Sequence, residues 1–286
     1  MGVSGSAKLA GVMGSPVSHS LSPRLHAYWL NFYAIDGLYL PMNVRSEDLE
    51  AALKALPKIG FQGVNLTAPH KETGLRFMDS ISDRSARIGA VNTVTIDQEG
   101  VLYGDNTDGF GFIENLQNQS QFVLIKGASV AVLGAGGAAR AIIAGLLDAG
   151  AAEIRLVNRN AERAEAIARD FMSDSIQQIL TFPWSQAHLA FQDAEIIVNT
   201  TPMGTAGQGS LSIDFKQVSS TALVTDVVYN PLRTKFLNQA RLNGNPTVDG
   251  LGMLLHQARP GFEAWFGERP QVTDGLRKHV EAGLGT

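Results

Sequence analysis

Short apolar segments alternate with amphipathic ones along the first third of the 286-residue chain. Uninterrupted apolar runs predict strands at LAGVMG, LYLPMNV and GVNLT. Apolar positions that recur every three or four residues predict helices at RLHAYWLNFYA and EDLEAALKAL. A Gln-Glu-Gly turn joins a further predicted pair of strands, VNTVTID and VLYGDN. The pattern is typical of an α/β region.

From Ser129 onward the alternation becomes more regular. The predicted strands are SVAVL, EIRLVNR, EIIVNTT and ALVTDVVY, and a helix is predicted at NAERAEAIARDF between the second and the third. Strand-helix-strand order of this kind predicts a parallel sheet with helices on both faces. Two helices follow, at TKFLNQARLNG and GLGMLLHQARPGFEAWFG, and the helical pattern of the second continues past Pro260.

A glycine turn follows the first strand of this second region. Gly134, Gly136 and Ala139 fit the pattern G-x-G-x-x-[G/A] between an apolar strand and a helix start. Glycines there let the backbone approach a pyrophosphate, which rests on the helix N-terminus. Glycine is common in any tight strand-helix turn, but here the following strand is also in place. The pattern therefore favours dinucleotide binding.

The end of the second strand indicates which dinucleotide is bound. An NAD enzyme carries Asp or Glu there, whereas this chain has Asn158 and Arg159, with Arg163 four positions further on. Two arginines at this spacing can converge on a 2′-phosphate. The simpler alternative is a solvated pair of arginines on a helix face. Their position at the ribose end of the strand favours NADP.

The change of pattern along the chain predicts an α/β protein of two domains with a cleft between them. The boundary falls near Asn106–Phe112. Residues 1–108 are predicted to form an α/β substrate-binding and catalytic domain, and residues 109–251 a Rossmann-like NADP-binding domain. The C-terminal helices, residues 252–286, are predicted to complete the first domain.

Composition narrows the possible partners and cofactors. Hydrophobic residues make up 44% of the chain, enough for a sizeable core, and the net charge is −4 without a run of Lys or Arg. Nucleic acid and anionic membranes are therefore poor partners. The chain has no cysteine, which excludes disulfides and thiolate chemistry and is compatible with a cytoplasmic location. We expect no metal, because no His, Asp and Glu cluster has ligand spacing.

The segment HSLSPRLH has two interpretations. Ser22 before Pro23 is the pattern of a helix N-cap followed by proline at the first helical position. Ser20 and Ser22 also lie where a helix N-terminus can hold a small carboxylate. The segment by itself supports both interpretations equally.

Two further polar clusters follow predicted strands. GVNLTAPHK places Lys71 just past a strand, and GDNTDGFG places Asp108 after another. Taken alone, the first is a solvated lysine and the second a turn with a helix cap at Asn106 or Thr107. The alternative interpretation is a hydrogen-bonded acid/base pair, since a lysine and an aspartate at strand ends can exchange a proton with a hydroxyl or a carbonyl group.

The sequence as a whole resembles the shikimate dehydrogenase family. The motifs that carry the resemblance, in the family's order, are SHSLSP, GVNLTAPHK, GAVNT, GDNTDG, GAGGAAR, NRNAERA, NTTPMG, DVVYNPL and DGLGMLLHQA. It implies reversible, NADP-dependent reduction of 3-dehydroshikimate to shikimate, in chorismate and aromatic amino-acid biosynthesis. Asn160 departs from the threonine that the family often has, and Ala27 from its asparagine.

The resemblance also implies roles for individual residues. Lys71 and Asp108 form the catalytic pair and contact the substrate. The other substrate-binding residues are Ser20 and Ser22 at the carboxylate, Thr67, Asn92, Asp108 and Gln257 at the ring hydroxyls, and Tyr229 closing the pocket. The cofactor-binding residues are Gly134, Ala135, Gly136, Gly137 and Ala138 at the pyrophosphate, Asn158, Arg159, Asn160 and Arg163 at the adenosine end, and Val227 and Gly250 by the nicotinamide.

Three alternatives compete with this interpretation. A quinate/shikimate dehydrogenase with relaxed cofactor use keeps the same Lys-Asp pair, and only Arg159 and Arg163 argue against NAD preference. A non-catalytic NADPH-sensing module explains the glycine turn but not the polar clusters. A glutamyl-tRNA reductase-like domain shares the glycine turn but needs a cysteine nucleophile, and this chain has no cysteine. We expect a small-molecule substrate as the partner, no nucleic acid or membrane, and a monomer or homodimer.

Overall fold

The computed structural model describes residues 3–120, 124–172, 177–205, 207–211 and 213–284. The chain divides into two compact units. The first unit combines the chain up to Thr107 with the chain from Leu254 onward, and the second unit is Asp108–Met253.

The α/β pattern predicted from the sequence is confirmed in both units. Within the described residues the strands are β1 (Lys8–Gly14), β2 (Gly37–Asn43), β3 (Phe61–Leu66), β4 (Ser80–Ile81), β5 (Thr93–Ile96), β6 (Leu102–Asp105), β7 (Ser129–Leu133), β8 (Glu153–Asn158), β9 (Gln178–Pro183), β10 (Ile196–Asn199), β11 (Leu223–Asp226) and β12 (Thr247–Val248). The helices there are α1 (Ser22–Phe32), α2 (Leu49–Ala55), α3 (His70–Gly74), α4 (Asp83–Ile88), α5 (Asp108–Gln119), α6 (Gly137–Asp148), α7 (Ala161–Met172), α8 (Ala187–Phe191), α9 (Lys235–Leu242), α10 (Leu251–Phe266) and α11 (Asp274–Glu281).

The sheet of the first unit is mixed. Its strand order is β2-β1-β3-β5-β6-β4, with β1 parallel to both neighbours and β5 antiparallel to β3 and β6. Leu49 and Leu53 of α2 pack with strand residues in one buried core. Trp265 of α10 lies against β3, where a Cβ at Gly63 would be 2.2 Å from its indole nitrogen. Because β5 is antiparallel to β3, the first residues of β5 lie beside the last residues of β3.

The sheet of the second unit is parallel throughout, as the strand-helix-strand order predicts. The strand order is β12-β11-β10-β7-β8-β9. The chain runs outward from β7 in one direction through β8 and β9, and in the other from β10 to β12. Ligands of such sheets bind at the carboxyl ends of the strands where the order reverses, here between β7 and β10.

Three strands were not predicted: β4, at an edge of the first sheet, and β9 and β12, at the two edges of the second sheet. β12 is only two residues long, and β9 buries a single residue of six. Strands at an edge need little apolar patterning, since one side of the ladder faces no partner. None of the helices in the described part of the chain combines the length and the apolar character that a bilayer span requires.

Candidate active site

Asn92 is the centre of a buried polar network in the first unit. It lies directly before β5 and is 3% exposed. Its side-chain oxygen accepts the backbone N–H of Thr107 and the hydroxyl of Thr93, both at 2.9 Å. Its own N–H donates to the carbonyl of Asp105 at 3.0 Å. These bonds fix Asn92 against the segment that leads into Asp108.

Lys71 and Thr67 are held close to Asn92 through the backbone. The carbonyl of Lys71, the second residue of α3, accepts the N–H of Val91 at 2.8 Å. The residue before Thr67, Leu66, donates its N–H to the carbonyl of Asn92 at 2.9 Å. The structure therefore brings three of the predicted substrate residues, Thr67, Lys71 and Asn92, to the same end of two neighbouring strands of the first sheet, where β3 ends and β5 begins.

The predicted N-cap role of Ser22 is wrong. α1 begins at Ser22 itself, Leu21 occupies the N-cap position, and no side chain caps the helix. The physical reason is that Leu21 already has helical backbone angles, with φ −86° and ψ −4°, so Ser22 lies inside the first turn and not at the cap. The backbone N–H of Ser22 donates to Oγ of Ser20 at 3.3 Å, so the two predicted carboxylate residues are in contact.

Tyr39 and Asn65 belong to the polar network around Asn92, but neither was predicted from the sequence as a site residue. The Tyr39 hydroxyl donates to Oδ1 of Asn65 at 2.6 Å, and Nδ2 of Asn65 donates to the carbonyl of Asn92 at 2.9 Å. Burial raises the pKa of Tyr39 well above its usual value, so its hydroxyl keeps its proton. Polar residues inside the apolar strand motifs LYLPMNV and GVNLT were the available signal.

The remaining predicted substrate residues are distributed over both units. Gln257 is half-buried on α10 in the first unit. In the second unit, Asp108 is buried at the first position of α5, and Tyr229 is half-buried three residues after β11. Burial raises the pKa of the Tyr229 phenol. Asp108 follows Thr107 directly, so its backbone position is tied to the Thr107–Asn92 bond.

A cavity of about 460 Å³ lies at the carboxyl ends of β7, β8 and β10 in the second unit. Six predicted cofactor residues line it: Gly134, Ala135, Gly136, Asn158, Arg159 and Arg163. Six other lining residues were not predicted: Trp184, Thr200, Thr201, Pro202, Met203 and Gln208. The motif NTTPMG was the available signal for the four of these that are consecutive.

The glycine turn leaves room for a ligand. Gly134 has φ +102°, and a Cβ there would be 2.8 Å from Cγ2 of Thr201, so both the conformation and the space exclude a side chain. Gly136 is different, because a Cβ there would meet no protein atom within 4 Å. Open space at the start of α6, beside free helical N–H groups, fits the pyrophosphate of a dinucleotide. Gly137 and Ala138 are the first two residues of that helix.

Asn160 acts within the protein at the adenosine end of the cavity. Its side-chain oxygen accepts the N–H of Arg163 at 3.0 Å, and its carbonyl accepts Nδ2 of Asn158 at 2.8 Å. Asn160 thereby provides a hydrogen-bond acceptor for one backbone N–H in the first turn of α7. The side chains of Arg159 and Arg163 are exposed and line the same cavity. Two cations at this end fit a phosphate group.

The two residues predicted beside the nicotinamide are also neighbours. A Cβ at Gly250 would be 2.4 Å from the carbonyl oxygen of Val227, so only glycine allows the two backbones to approach this closely. Val227 follows β11 directly and Gly250 precedes α10.

Asp226 is the last residue of β11 and is buried, and it was not predicted from the sequence as a site residue. Its carboxylate accepts Nδ2 of Asn199 at 2.9 Å, the N–H of Val228 at 3.0 Å and the hydroxyl of Thr234 at 2.7 Å. Asn199 in turn accepts the N–H and the hydroxyl of Thr201. Burial raises the pKa of Asp226 to about 6. A polar residue at the end of each of two apolar strands was the signal.

No group of three or more His, Asp or Glu within the described ranges is arranged to hold a metal ion. The chain thus combines a parallel sheet whose glycine turn and arginines suit a dinucleotide phosphate with a separate α/β unit that carries a polar network. These features define the class of two-domain, dinucleotide-dependent oxidoreductases.

Family comparisons identify the group within this class. Residues 12–94 match the shikimate dehydrogenase substrate binding domain, residues 117–208 match shikimate / quinate 5-dehydrogenase, and residues 250–279 match the shikimate 5′-dehydrogenase C-terminal domain. The curated shikimate dehydrogenase (NADP(+)) of Paramagnetospirillum magneticum is 50% identical over 278 residues, 97% of this chain and 99% of that protein.

Solved structures of two enzymes with different names match nearly the whole chain. Shikimate 5-dehydrogenase from Thermus thermophilus, in complex with NADP(H) and shikimate, superposes with a TM-score of 0.86 at 34% identity, over 97% of this chain and 100% of that chain. The ligand-free 5-ketofructose reductase of Gluconobacter sp. strain CHM43 superposes with a TM-score of 0.89 at 32% identity, over 98% and 99%.

The chain belongs to the shikimate dehydrogenase family. Membership confirms the resemblance identified from the motifs, the two-domain α/β fold class and the oxidoreductase class of enzyme. The name of the curated relative also agrees with the expectation of NADP rather than NAD.

Proposed function

We propose that this chain catalyses the reversible, NADP-dependent reduction of 3-dehydroshikimate to shikimate, a step of chorismate and aromatic amino-acid biosynthesis. The observation that carries the proposal is the cavity lined by the glycine turn, Arg159 and Arg163. It occurs in a chain half identical, over nearly its whole length, to a relative named for shikimate and NADP(+).

NADP supplies the hydride-carrying nicotinamide when it is bound. The pyrophosphate is proposed to rest on the turn from Gly134 to Ala138, where the open space at Gly136 supports the assignment. Arg159 and Arg163 bind the 2′-phosphate, and Asn158 and Asn160 shape that end of the site. Val227 and Gly250 lie beside the nicotinamide.

Lys71 and Asp108 are proposed to act as one acid/base unit. As the ketone is reduced, negative charge develops on its oxygen, and the Lys71 ammonium group stabilises that charge and delivers a proton to the oxygen. In the reverse direction Lys71 takes the proton of the substrate hydroxyl. Asp108 orients the lysine and contacts a ring hydroxyl. The hydrogen bonds made by Val91 and Asn92 support this pairing, because they hold the backbones of Lys71 and of Thr107, the residue before Asp108.

The substrate is proposed to be oriented from two ends. Ser20 and Ser22 hold its carboxylate, and Thr67, Asn92 and Gln257 bind its ring hydroxyls, with Tyr229 closing the pocket. The support for this arrangement is the hydrogen bonds that hold each part rigid: Ser20 accepts the backbone N–H of Ser22, and Tyr39 and Asn65 are joined to the carbonyl of Asn92. A rigid surface discriminates between substrates because it does not adjust to a wrong one.

A second candidate is a quinate/shikimate dehydrogenase with relaxed cofactor use. The family match over residues 117–208 names both shikimate and quinate, which favours keeping this candidate. The relatives reported above are named as enzymes, which argues against the NADPH-sensing alternative. We also propose a cytoplasmic monomer or homodimer.

A matrix of initial rates tests the proposed function, with shikimate or quinate against NADP or NAD. We expect the shikimate and NADP combination to give the highest kcat/KM. Comparable values with quinate or with NAD would establish the second candidate instead. A folded protein inactive in all four combinations would contradict both.

A further inference from the structure

The carboxylate of Asp226 lies at the carboxyl end of β11, and the proposed function gives it no role. It is buried, with 1% of the residue exposed. One of its oxygens, Oδ1, accepts Nδ2 of Asn199 at 2.9 Å and the N–H of Val228 at 3.0 Å. The other oxygen, Oδ2, accepts the hydroxyl of Thr234 at 2.7 Å. The carboxylate therefore has two sides, which reach different parts of the second unit.

The first side acts on a turn through the buried amide of Asn199, the last residue of β10. One end of that amide lies 3.0 Å from the N–H of Thr201, which only donates, so this end must be the oxygen. The other end is then the NH2 group, and it donates to Asp226 and, at 3.2 Å, to the carbonyl of Met203. Asp226 thus fixes the orientation of an amide that closes the turn from Thr201 to Met203.

This turn forms one wall of the cavity assigned to the cofactor. Thr201 and Met203 both line the cavity. The hydroxyl and the N–H of Thr200 donate to the carbonyl of Leu133, at 2.7 and 2.9 Å, so the turn starts from the end of β7. A Cβ at Gly134 would be 2.8 Å from Cγ2 of Thr201. The turn therefore adjoins the glycine turn, and a displaced Thr201 would change the space beside it.

The same carboxylate oxygen also holds the backbone that follows β11. It accepts the N–H of Val228 directly, while the N–H of Val227 donates to the carbonyl of Asn199 at 3.0 Å. Val227 is the residue whose carbonyl excludes a side chain at Gly250, in the segment assigned to the nicotinamide. One oxygen of Asp226 therefore links the turn after β10 to the backbone beside the nicotinamide.

We propose that Asp226 is a positioning residue of the cofactor site, which holds the turn Thr201–Met203 through Asn199 and the segment Val227–Val228 directly. This inference rests on the proposed function, since it takes NADP as the ligand of the cavity. Asp226 acts through these neighbours, and the cavity is lined by the turn that it holds. A wall that is already ordered lowers the cost of binding, because the ligand does not have to order it.

The second side of the carboxylate supplies a matched control. Thr234 is the N-cap of α9, and its hydroxyl oxygen accepts the N–H of Leu237 at 3.3 Å. Thr234→Val removes this cap and one donor to Asp226 at nearly constant volume, but it leaves the bonds from Asn199 and Val228 in place. The variant should therefore have a lower melting temperature and an unchanged Kd for NADP.

The test measures the Kd of NADP by titration calorimetry at pH 8, where Asp226 is ionised because its pKa is about 6. Asp226→Ala and Asn199→Ala should each raise this Kd about tenfold, the equivalent of ordering two side chains on binding. KM for NAD should rise by the same factor, because the turn follows β10 whereas the arginines follow β8, on the far side of β7. The double variant should bind NADP about as well as either single variant, since both remove one link.

Asp226→Asn is the conservative variant. Its amide oxygen can still accept from Asn199 and Val228, while its NH2 group faces the hydroxyl oxygen of Thr234, which can accept. Its Kd for NADP should therefore stay within about threefold of the wild-type value. A structural role alone would make the Kd follow the loss of stability in every variant, including Thr234→Val.

Three results would overturn the inference: a wild-type Kd in the folded alanine variants, equal weakening by Thr234→Val and Asp226→Ala, or a loss in the double variant equal to the product of the single losses. If Asp226→Ala fails to fold, Asn199→Ala decides, because it leaves the carboxylate its other two donors. A wild type that binds NADP no better than these variants contradicts the inference alone. A wild type that does not bind NADP contradicts the proposed function as well.

Discussion

The two units build their candidate ligand sites from different chemical groups. In the first unit the groups are short polar side chains, buried and bonded to one another around Asn92. In the second unit they are a glycine backbone turn and two exposed arginines around an open cavity. A small polyhydroxylated substrate offers few atoms, so each must meet a fixed partner. A dinucleotide offers charged phosphates, which backbone N–H groups and long cationic side chains bind without buried networks.

The units also differ in the pKa shift of a buried titratable group, His26 in the first and Asp226 in the second. His26 in the first unit has no hydrogen-bond partner at its ring nitrogens, and burial lowers its pKa to about 3. Asp226 in the second unit has three donors, and burial still raises its pKa to about 6. The same cause, removal from water, thus acts on a base and an acid with opposite consequences for stability against pH.

The largest effect is expected at the proposed acid/base pair, Lys71 of the first unit and Asp108 of the second. Lys71→Ala should keep the fold and NADP binding but lower kcat by roughly 10²–10⁴, the range for a lost acid/base group. Asp108→Ala should lose a similar factor, and the double variant far less than the product, because the two act as a unit. Initial rates at saturating substrate measure this. The exposed Lys58→Ala is the control, and a folded Lys71→Ala enzyme with near-normal kcat would end the mechanism.

The arginines of the second unit come next. Arg159→Asp should raise KM for NADP by about tenfold to a hundredfold, the value of a charge-assisted hydrogen bond. KM for NAD should stay nearly unchanged or improve, because NAD has no 2′-phosphate. Steady-state kinetics with both cofactors measures the difference, with Arg169→Asp on the exposed face of α7 as the control. Equal losses with NADP and NAD would indicate a structural role for Arg159.

The third prediction concerns His26 and acid stability. Its pKa is about 3 in the folded chain against an ordinary 6.5, so between these values the unfolded chain binds more protons. This contribution to stability is present above pH 6.5 and is lost as the pH falls toward 3. Between pH 7 and pH 5 the free energy of unfolding should drop by roughly 2 kcal/mol from this group.

Chemical denaturation of the wild type and His26→Phe at the two pH values measures this drop. The variant should lose less stability on acidification, whereas the exposed His19→Gln should behave as the wild type does. Parallel losses in the wild type and His26→Phe would contradict the assignment of a buried neutral imidazole.

The smallest effect is expected at Asp226 and has the opposite sign. Its pKa is about 6 in the folded chain against an ordinary 3.8, so here the folded chain binds more protons between the two values. The contribution is fully present below pH 3.8 and is lost as the pH rises through 6. Relative to Asp226→Asn, the wild type should gain on the order of 1–2 kcal/mol between pH 7 and pH 5.

The same denaturation series measures this gain, with the exposed Asp214→Asn as the control. A difference between the wild type and Asp226→Asn that does not change with pH would show that the carboxylate does not titrate in this window.

Local features were predictable from the sequence alone. The glycine turn at Gly134 and Gly136, the arginines after β8 and the alternation of strands with helices each depend on residues a few positions apart. Backbone sterics and the periodicity of apolar side chains act over that range, so the sequence carries the signal directly. The family motifs added the prediction that Lys71, Asn92 and Asp108 belong to the substrate site.

Only the tertiary structure decided which polar groups meet. Tyr39 bonds Asn65 across 26 positions, and Asp226 bonds Asn199 across 27, through a strand order that the sequence does not state. A hydrogen bond depends on the positions of two groups to within a few tenths of an ångström. For partners distant in sequence, those positions exist only once the strands have paired.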